Sequence, residues 1–429
     1  MQCQFLAGFA LALAPTLSFA DTCGPGYAHD SITTLSAITA PAAYDTLSNG
    51  NRVVYDGSQI WIENDAGTVI QVLGNPSTPS FASFIEADPT ETFAVLGENN
   101  NGQLFKVSLT TGNPTPLCTL AFNFDIAYEN GNSALVSAAA VAFGSNEIYR
   151  VNLTTGATSL VATVSGPSGP IAVSPVGDLY YATQTLVFPA PPASTNIIRW
   201  TANQITNGPF PLTQARASLF TPGFDGAGYM TFDPVFGNLF LSVGLYSAPS
   251  SIVEIDKTGA IVATIAVSPH TTGKVEVLDA PGPGLGACAA FQPDGRRLQY
   301  RATDFFNGGS RIEKISPRRP VLTSVQNMDN TMTCTLTGGW PNSTAYVISG
   351  NLWQYSTPET SYDLVKHLFW TGMPINAIRR AGITFATDAS GNGSFTFSNP
   401  PSAQGLFVIQ ALVSDPVGVY RGTSTATFN

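Results

Sequence analysis

Gly169-Pro-Ile-Ala-Val-Ser-Pro-Val-Gly-Asp-Leu-Tyr-Tyr-Ala182 consists of an apolar run, a turn at Ser174-Pro175 and a second apolar run. A third run, Asn196-Ile-Ile-Arg-Trp200, follows after a longer loop. Apolar and polar residues roughly alternate in the third run, as in a β-strand whose two faces have different surroundings. This stretch therefore predicts one antiparallel unit of short strands joined by turns.

The same unit occurs six times between Ala42 and Ile315. Its third run begins 44 to 60 residues after the preceding copy, at Gln59, Gln103, Glu147, Asn196, Ser251 and Arg311. A glycine-containing turn follows most copies, and a fourth run closes the unit, as in Val69-Ile-Gln-Val-Leu73. Four antiparallel strands per unit at this period predict an all-β fold, a six-bladed β-propeller.

The sixth unit lacks a fourth run of its own. Its inner strands are expected at Cys288–Phe291 and Leu298–Ala302, followed by Arg311–Ile315, and the chain then reaches Pro317-Arg-Arg-Pro320. Ser31-Ile-Thr-Thr-Leu-Ser36 precedes the first unit and has the composition of a strand. We expect this N-terminal strand to complete the last blade and close the ring, which also removes an exposed sheet edge.

The periodicity ends at Pro320, so residues 21–320 are predicted to be the propeller and residues 321–429 a separate β-sandwich domain. Within the sandwich, 388–393 is expected to be a hairpin loop and 361–370 a short helix. Residues 1–20 have the apolar stretch and the small-residue cleavage site of a signal peptide. The protein is therefore expected to be bacterial and either secreted or located in the periplasm or cell envelope.

The composition narrows the classes of partner. Only 11% of the residues are charged, Gly (40) and Pro (31) are frequent, and the net charge is −10. An acidic chain is repelled by phosphate backbones and anionic lipid, which argues against nucleic-acid binding. No segment is long enough for a membrane span, and we expect a monomer. Signal cleavage leaves four cysteines, whose three possible complete pairings stay open.

The inner-strand pattern of residues 169–182 resembles that of the NHL-type and lactonase-like six-bladed propellers, which include both binding modules and hydrolases. Lactonase-like propellers hold a divalent cation at the channel entrance with carboxylate and amide oxygens, the ligands that Ca²⁺ prefers. The resemblance implies Asp45, Glu86 and Asp125 as candidate metal ligands. Aligned inner strands place glycine, however, at the positions equivalent to Asp125 in the last three units: Gly169, Gly228 and Gly286.

Long insertions are expected to cluster on one face of the propeller, at Thr183–Thr195, Thr213–Ala227 and Ser268–Gly286. Long loops on a rigid scaffold are the usual location of binding residues, although their aromatic residues also pack such loops together. These insertions and neighbouring loops carry the candidate ligand-binding residues Phe188, Phe220, Phe224, Asp225, Tyr246, His270, Asp304 and Phe305.

No established catalytic motif is found. The three histidines are scattered, and neither a Gly-x-Ser-x-Gly elbow nor a phosphate-binding loop occurs. The sequence therefore favours a secreted binding or scaffold protein that presents its loop face to a small molecule, a glycan or a protein. The alternative is a calcium-dependent, lactonase-like hydrolase or lyase acting at the channel mouth. A purely structural ring is the third interpretation.

Overall fold

A computed structural model describes residues 21–427, apart from some gaps. These gaps are 25–26, 35–42, 77–81, 100, 142–143, 186–192, 234–236, 245–248, 279–296, 304–309, 318–319, 352–359, 365–366, 372–378, 400, 402–406, 415–419 and 423–425. The described residues form an all-β protein with one short α-helix, α1 (Ala202–Asn207), and a 3₁₀ turn at Gln214–Arg216. No helix among them has the length and hydropathy needed to cross a bilayer.

The first three sheets follow one another along the chain, after β1 (Thr22–Cys23) and β2 (Tyr27–Thr34). Sheet I contains β3 (Ala43–Thr46), β4 (Arg52–Tyr55), β5 (Ile60–Glu63) and β6 (Val69–Gly74). Sheet II contains β7 (Ala82–Ala87), β8 (Phe93–Glu98), β9 (Gln103–Ser108) and β10 (Gly112–Thr119). Sheet III contains β11 (Asp125–Asn130), β12 (Ser133–Ala139), β13 (Asn146–Asn152) and β14 (Thr158–Val164).

Three further sheets follow, each with the same antiparallel order. Sheet IV contains β15 (Ile171–Val173), β16 (Leu179–Ala182), β17 (Thr195–Trp200) and β19 (Ser218–Phe224), while β18 (Leu212–Thr213) pairs with β14 of sheet III. Sheet V contains β20 (Ala227–Phe232), β21 (Leu239–Val243), β22 (Ser250–Ile255) and β23 (Ile261–Ser268), with β1 added beside β23. Sheet VI contains β24 (Thr271–Leu278), β25 (Arg297–Thr303) and β26 (Ser310–Pro317).

The inner strands of the six sheets form a closed ring. Each inner strand contacts the next, in the order β3, β7, β11, β15, β20 and β24, and β24 contacts β3. Buried apolar clusters lie between neighbouring sheets, for example Ile85 with Val53 between sheets I and II, and Leu241 with Ala172 between sheets IV and V. The fold is therefore propeller-like, since radially arranged sheets bury their faces against one another.

The expected pairing of the N-terminal strand is confirmed. Strand β2 runs antiparallel to β26, with Thr34 opposite Arg311 and Ser31 opposite Lys314. The strand begins at Tyr27, earlier than the sequence indicates. Tyr27 also packs edge-on against Trp340, with ring centroids 5.1 Å apart. The N-terminal segment therefore joins the last sheet of the ring to the C-terminal part of the chain.

The C-terminal residues form two more sheets. Sheet VII contains β27 (Val321–Gln326), β28 (Thr331–Thr337) and β33 (Gly393–Ser398). Sheet VIII contains β29 (Thr344–Asn351), β30 (Thr360–Leu364), β31 (His367–Thr371), β32 (Arg379–Ala386), β34 (Phe407–Ser414), β35 (Tyr420–Gly422) and β36 (Ala426–Thr427). The helix predicted for 361–370 is wrong, because Thr360–Leu364 and His367–Thr371 pair as an antiparallel hairpin.

Two predictions about the sixth and fourth units are also wrong. The inner strand of sheet VI is Thr271–Leu278, not Cys288–Phe291, and the latter residues lie outside the described part of the chain. Residues 213–227 are not a loop, because Ser218–Phe224 is the outer strand of sheet IV. The insertion of this unit instead lies between β17 and β19 and contains α1, whose Thr201 N-cap and Gln204 form a capping box.

Close packing between sheets explains the glycine of the turn before the fourth strand. Gly156 has a φ of +72°, and a Cβ there would lie 2.0 Å from the carbonyl oxygen of Leu117 in the preceding sheet. Gly112 and Gly259 approach Leu73 and Phe220 in the same way, at 2.1 and 2.2 Å. The repeated glycine therefore serves both the turn and the contact between neighbouring sheets.

Candidate functional site

A buried lysine lies at the centre of the ring of inner strands. Lys274, in the middle of β24, leaves only 9% of its side chain exposed. Its Nζ lies 2.5 Å from Asp45 Oδ1 of β3 and 3.3 Å from Glu276 Oε1 of β24, and it also pairs with Glu86 of β7. Three carboxylates from three inner strands therefore surround one ammonium group.

Neutral donors hold the second oxygen of each of these carboxylates. Asp45 Oδ2 accepts from the backbone N–H of Ala87 at 2.7 Å, and Glu86 Oε1 accepts from the Tyr229 hydroxyl at 2.9 Å. Glu276 Oε2 accepts from the Thr46 hydroxyl at 2.8 Å and from Gln299 Nε2 at 2.9 Å. These bonds fix each carboxylate with its other oxygen directed at the ammonium.

Aromatic residues complete the surroundings of Lys274. Its Nζ lies 5.8 Å from the ring centroid of Tyr44 and 5.6 Å from that of Tyr229, within the range of cation–π attraction. The Tyr128 hydroxyl donates to the backbone carbonyl of Glu86 at 2.8 Å. Tyr229 of sheet V reaches Glu86 of sheet II, so this bond crosses the channel.

Burial shifts the ionisation of this cluster. The pKa of Glu86 is raised well above its usual range by burial and by the nearby Asp45 carboxylate. Burial also raises the pKa of Glu276 to about 7, although Lys274 opposes the shift. Burial alone would lower the pKa of Lys274, but the negative charges of Asp45 and Glu86 outweigh this effect, so the pKa lies well above its ordinary value. Lys274 is therefore charged at neutral pH, as its acidic neighbours require.

The three residues predicted as metal ligands have two different surroundings. Asp45 and Glu86 meet at Lys274, whereas Asp125 accepts backbone N–H bonds from Ile126 and Ile171, both at 2.9 Å. Asp125 thus ties β11 to β15, as Asp45 ties β3 to β7 through Ala87. Burial raises the pKa of Asp125 to about 7.

A calcium ion does not fit among these residues. The converging oxygens of Asp45, Glu86 and Glu276 already contact the Lys274 ammonium, which occupies the position that a cation would take. In the part of the chain that the structure describes, no group of three or more His, Cys, Asp or Glu residues is arranged to hold a metal ion. A divalent ion and a charged lysine repel each other at this distance.

Sequence reasoning missed Lys274 because it places the residues of β24 in a loop. The signal is present in the chain: Lys274 and Glu276 alternate with Val275 and Val277, the period-two pattern of a strand with one polar face. The inner strand was instead expected directly before Gln292-Pro293, because this pair resembles the first turn of other units. For the same reason the alignment of Gly286 with Asp125 is wrong, since Gly286 follows the inner strand of sheet VI.

A cavity of about 140 Å³ adjoins the cluster inside the ring. Four inner strands line it, contributing Glu86, Ile126–Tyr128, Ile171–Val173 and Tyr229–Phe232. Val173 and Phe232 are the last residues of β15 and β20. The cavity therefore reaches the end of the channel at which the inner strands turn into the second strands, with the Glu86–Tyr229 pair in its wall.

The strand ends that flank two of the long connections lie at this same end. In an antiparallel four-stranded sheet, the first-to-second and third-to-fourth connections share one end. The insertion between β17 and β19 and the connection from Leu278 to Arg297 are of these two kinds. Of the three insertions expected on the opposite face, only Thr183–Thr195 is placed there, between β16 and β17.

The structure describes four of the eight residues predicted to bind a ligand on the loop face. Phe224 is buried in the core between sheets IV and V, and Phe220 packs edge-on against Tyr180 with ring centroids 4.9 Å apart. Asp225 accepts from the backbone N–H of Ala193 at 2.6 Å, and the His270 carbonyl accepts from Ser250. Phe188, Tyr246, Asp304 and Phe305 lie outside the described residues.

Comparison with known proteins informs the fold alone. No protein-family model matches the chain, and no curated protein matches it in sequence. Among solved structures, it is similar to a gluconolactonase from Xanthomonas campestris, with 15% identity, 71% of this chain and 99% of that chain covered, and a TM-score of 0.49. It is also similar to a Trichoderma reesei structure of carbohydrate-active enzymes family AA12, with 12% identity, 72% of this chain and 100% of that chain covered, and a TM-score of 0.50.

A structure of the calcium-binding protein regucalcin from Agrobacterium tumefaciens is also similar, with 14% identity, 66% of this chain and 92% of that chain covered, and a TM-score of 0.44. Identities this low carry no activity or ligand over to this chain. The predicted propeller-like fold is supported by the six sheets and by the ring of contacts between their inner strands, and the Trichoderma reesei structure shares the overall fold. The class that the fold and the channel define is an all-β, propeller-like protein with a polar cluster at its centre.

Proposed function

We propose that this protein binds a small molecule in the central channel of a six-bladed propeller. In this proposal sheets I–VI are the blades, residues 21–320 form the propeller and residues 321–429 a β-sandwich. Residues 1–20 are a signal peptide, so the protein acts outside the cytoplasm. The observation that carries the function is the cavity beside Glu86 and Tyr229, a concave site with a few fixed polar groups.

The size of the cavity, which is partly open to solvent, suits a small molecule or one group of a larger ligand. One water takes roughly 30 Å³ of liquid volume, so about 140 Å³ holds a ligand of a few heavy atoms. Sites for larger organic ligands measure roughly 300–1,000 Å³. The Tyr128 and Tyr229 rings offer apolar surface, and the Glu86 carboxylate offers an acceptor, so an amphipathic solute suits this site.

The test compares a filled and an unfilled channel. A panel of small amphipathic solutes is screened by thermal shift and calorimetry, and binding is expected to disappear in Ala127→Leu, which adds bulk at the cavity wall. Because Ala127 also packs against the apolar cluster between sheets III and IV, circular dichroism checks that this variant keeps the wild-type fold. Ala260→Leu, the same change at an exposed turn, is the matched control and should bind like the wild type. Ligands that bind equally to both variants would show that the site lies elsewhere.

A hydrolase or lyase acting in the same channel is the second candidate. It is supported by buried carboxyls with raised pKa values beside the cavity, since such groups occur often at catalytic sites. A calcium-dependent version would have to displace the Lys274 ammonium. Turnover of a simple lactone that is lost in Asp125→Ala, with the fold retained, would replace the binding proposal with this one.

A further inference from the structure

We propose that Lys274 is the resident cation of the channel, so that the wild-type protein needs no divalent ion there. Removal of its side chain is expected to turn Asp45, Glu86 and Glu276 into a divalent-cation site. This inference concerns the channel's charge balance and does not depend on which solute the cavity takes.

Charge balance makes a cation or a proton necessary at this point. Side chains of Asp45, Glu86 and Glu276 leave at most 19% of their surface exposed, and each directs an oxygen at the same Nζ. Buried like charges at this spacing repel one another strongly unless a cation or proton separates them. Lys274 supplies that cation from within the chain, on the same face of β24 as Glu276 two residues later.

The carboxylates are prearranged to hold a cation whether or not the lysine is present. Ala87 N–H, the Tyr229 hydroxyl and the Thr46 hydroxyl each bind the oxygen of one carboxylate that is not paired with Nζ. None of these donors belongs to Lys274, so its removal leaves three oriented oxygens around an emptied space. Calcium takes six to eight oxygen ligands at about 2.3–2.6 Å, and water can supply those that the protein does not.

The ring closure depends on the same group. Lys274 and Glu276 of sheet VI meet Asp45 and Thr46 of sheet I at the seam where the last sheet adjoins the first. The buried apolar cluster at this seam is small among the described residues, comprising Tyr44, Val54, Trp61 and Ile312. Loss of the cation should therefore weaken the closure of the whole ring, and a bound divalent ion should restore it.

The experiment compares the wild type with Lys274→Ser and Lys274→Met. Serine empties the space and removes the charge, while methionine removes the charge but keeps most of the volume, which makes it the matched control. Thermal unfolding is followed in CaCl₂ and in chelator, and calorimetry measures the stoichiometry with CaCl₂. The wild type should melt at the same temperature in both solutions.

Lys274→Ser should melt lower in chelator, and saturating calcium should raise its melting temperature by roughly 5 °C with one ion bound. Lys274→Met should melt low in both solutions. Adding Glu86→Gln to the serine variant should abolish the calcium response. If the serine variant does not fold in chelator, refolding from denaturant is compared with and without calcium, and recovery only with calcium supports the proposal.

Two results would overturn it. One is a wild type that binds calcium stoichiometrically and loses that binding in Asp45→Asn. The other is a serine variant whose melting temperature, or whose recovery on refolding, is the same in calcium and in chelator.

Discussion

Replacing Gly156 by alanine tests directly whether neighbouring sheets pack as tightly as the structure indicates. Gly156 follows β13 in a turn, with φ of +72°, and its added Cβ would meet the Leu117 carbonyl oxygen of β10 at 2.0 Å. Cβ atoms essentially never come closer than 3.0 Å to another atom, so sheets II and III must separate locally by about 1 Å. The substitution therefore adds a steric cost to the cost of its backbone conformation.

Gly50 isolates the backbone cost. It has a φ of +83°, but a Cβ added there would meet nothing within 4 Å, so Gly50→Ala carries only the cost of a left-handed conformation, roughly 1–2 kcal/mol. Gly156→Ala carries this cost and, in addition, roughly 1–3 kcal/mol for overpacking between the sheets. The expected loss in unfolding free energy is thus roughly 2–5 kcal/mol for Gly156→Ala.

Urea unfolding of both variants measures the difference, provided that the slope of free energy against urea stays constant. Gly131→Ala serves as a second control, because a Cβ there meets nothing within 4 Å and its φ lies outside the strained range. Equal destabilisation of Gly156→Ala and Gly50→Ala would refute the reasoning, since it would mean that no contact between sheets restricts this glycine.

Three further predictions concern buried charge and ring closure. Asp125 has a pKa of about 7 in the folded protein against an ordinary value of 3.8, so its stabilising contribution is complete below about pH 4 and is lost as pH rises through 7. The unfolding free energy of Asp125→Asn minus that of the wild type, measured with urea, should therefore rise by up to about 4 kcal/mol between pH 4 and pH 8. A difference that stays constant over this range would contradict the prediction. Arg52→Met should lower the unfolding free energy by about 3–5 kcal/mol, because Arg52 is fully buried and its Nε lies 2.9 Å from Glu63 Oε1. The double variant with Glu63→Leu should regain much of that loss, as measured by denaturant titration. Deletion of 21–34 removes β1 and β2 and should lower the melting temperature and expose β26 to proteolysis, whereas a melt identical to that of the full chain would show that these strands do not close the ring.

Local patterns explain which parts of the fold were predictable. Strands such as Gln103–Ser108 roughly alternate apolar and polar residues, and turns such as the one after Asp88 carry their own signal. The Asp88 carboxylate accepts from the backbone N–H groups of Thr92 and Phe93 at 2.7 and 2.8 Å. Interactions between residues this close in sequence are encoded locally, so the repeat and its period could be inferred directly.

The insertions were less predictable because their boundaries depend on pairing across the chain. Ser218–Phe224 carries a proline and a glycine and therefore looks like a loop, but it pairs with β17 through an irregular register. Thr271–Leu278 is hard to recognise as the inner strand because Gln292-Pro293 matches the turn of other units better than any residues directly after Leu278. In both cases the partner strand, which the local sequence does not specify, determines the assignment.

The sequence by itself determined the all-β class, the repeated unit and the pairing of the N-terminal strand with the last sheet. Only the tertiary structure decided the site, because Lys274 meets Asp45 and Glu86 across 229 and 188 residues of chain. No local pattern encodes such a meeting; closure of the ring creates it. Asp45 and Glu86, two of the three candidate metal ligands, are thereby paired with an ammonium group of the chain itself, since a buried negative charge is costly without an opposite charge beside it.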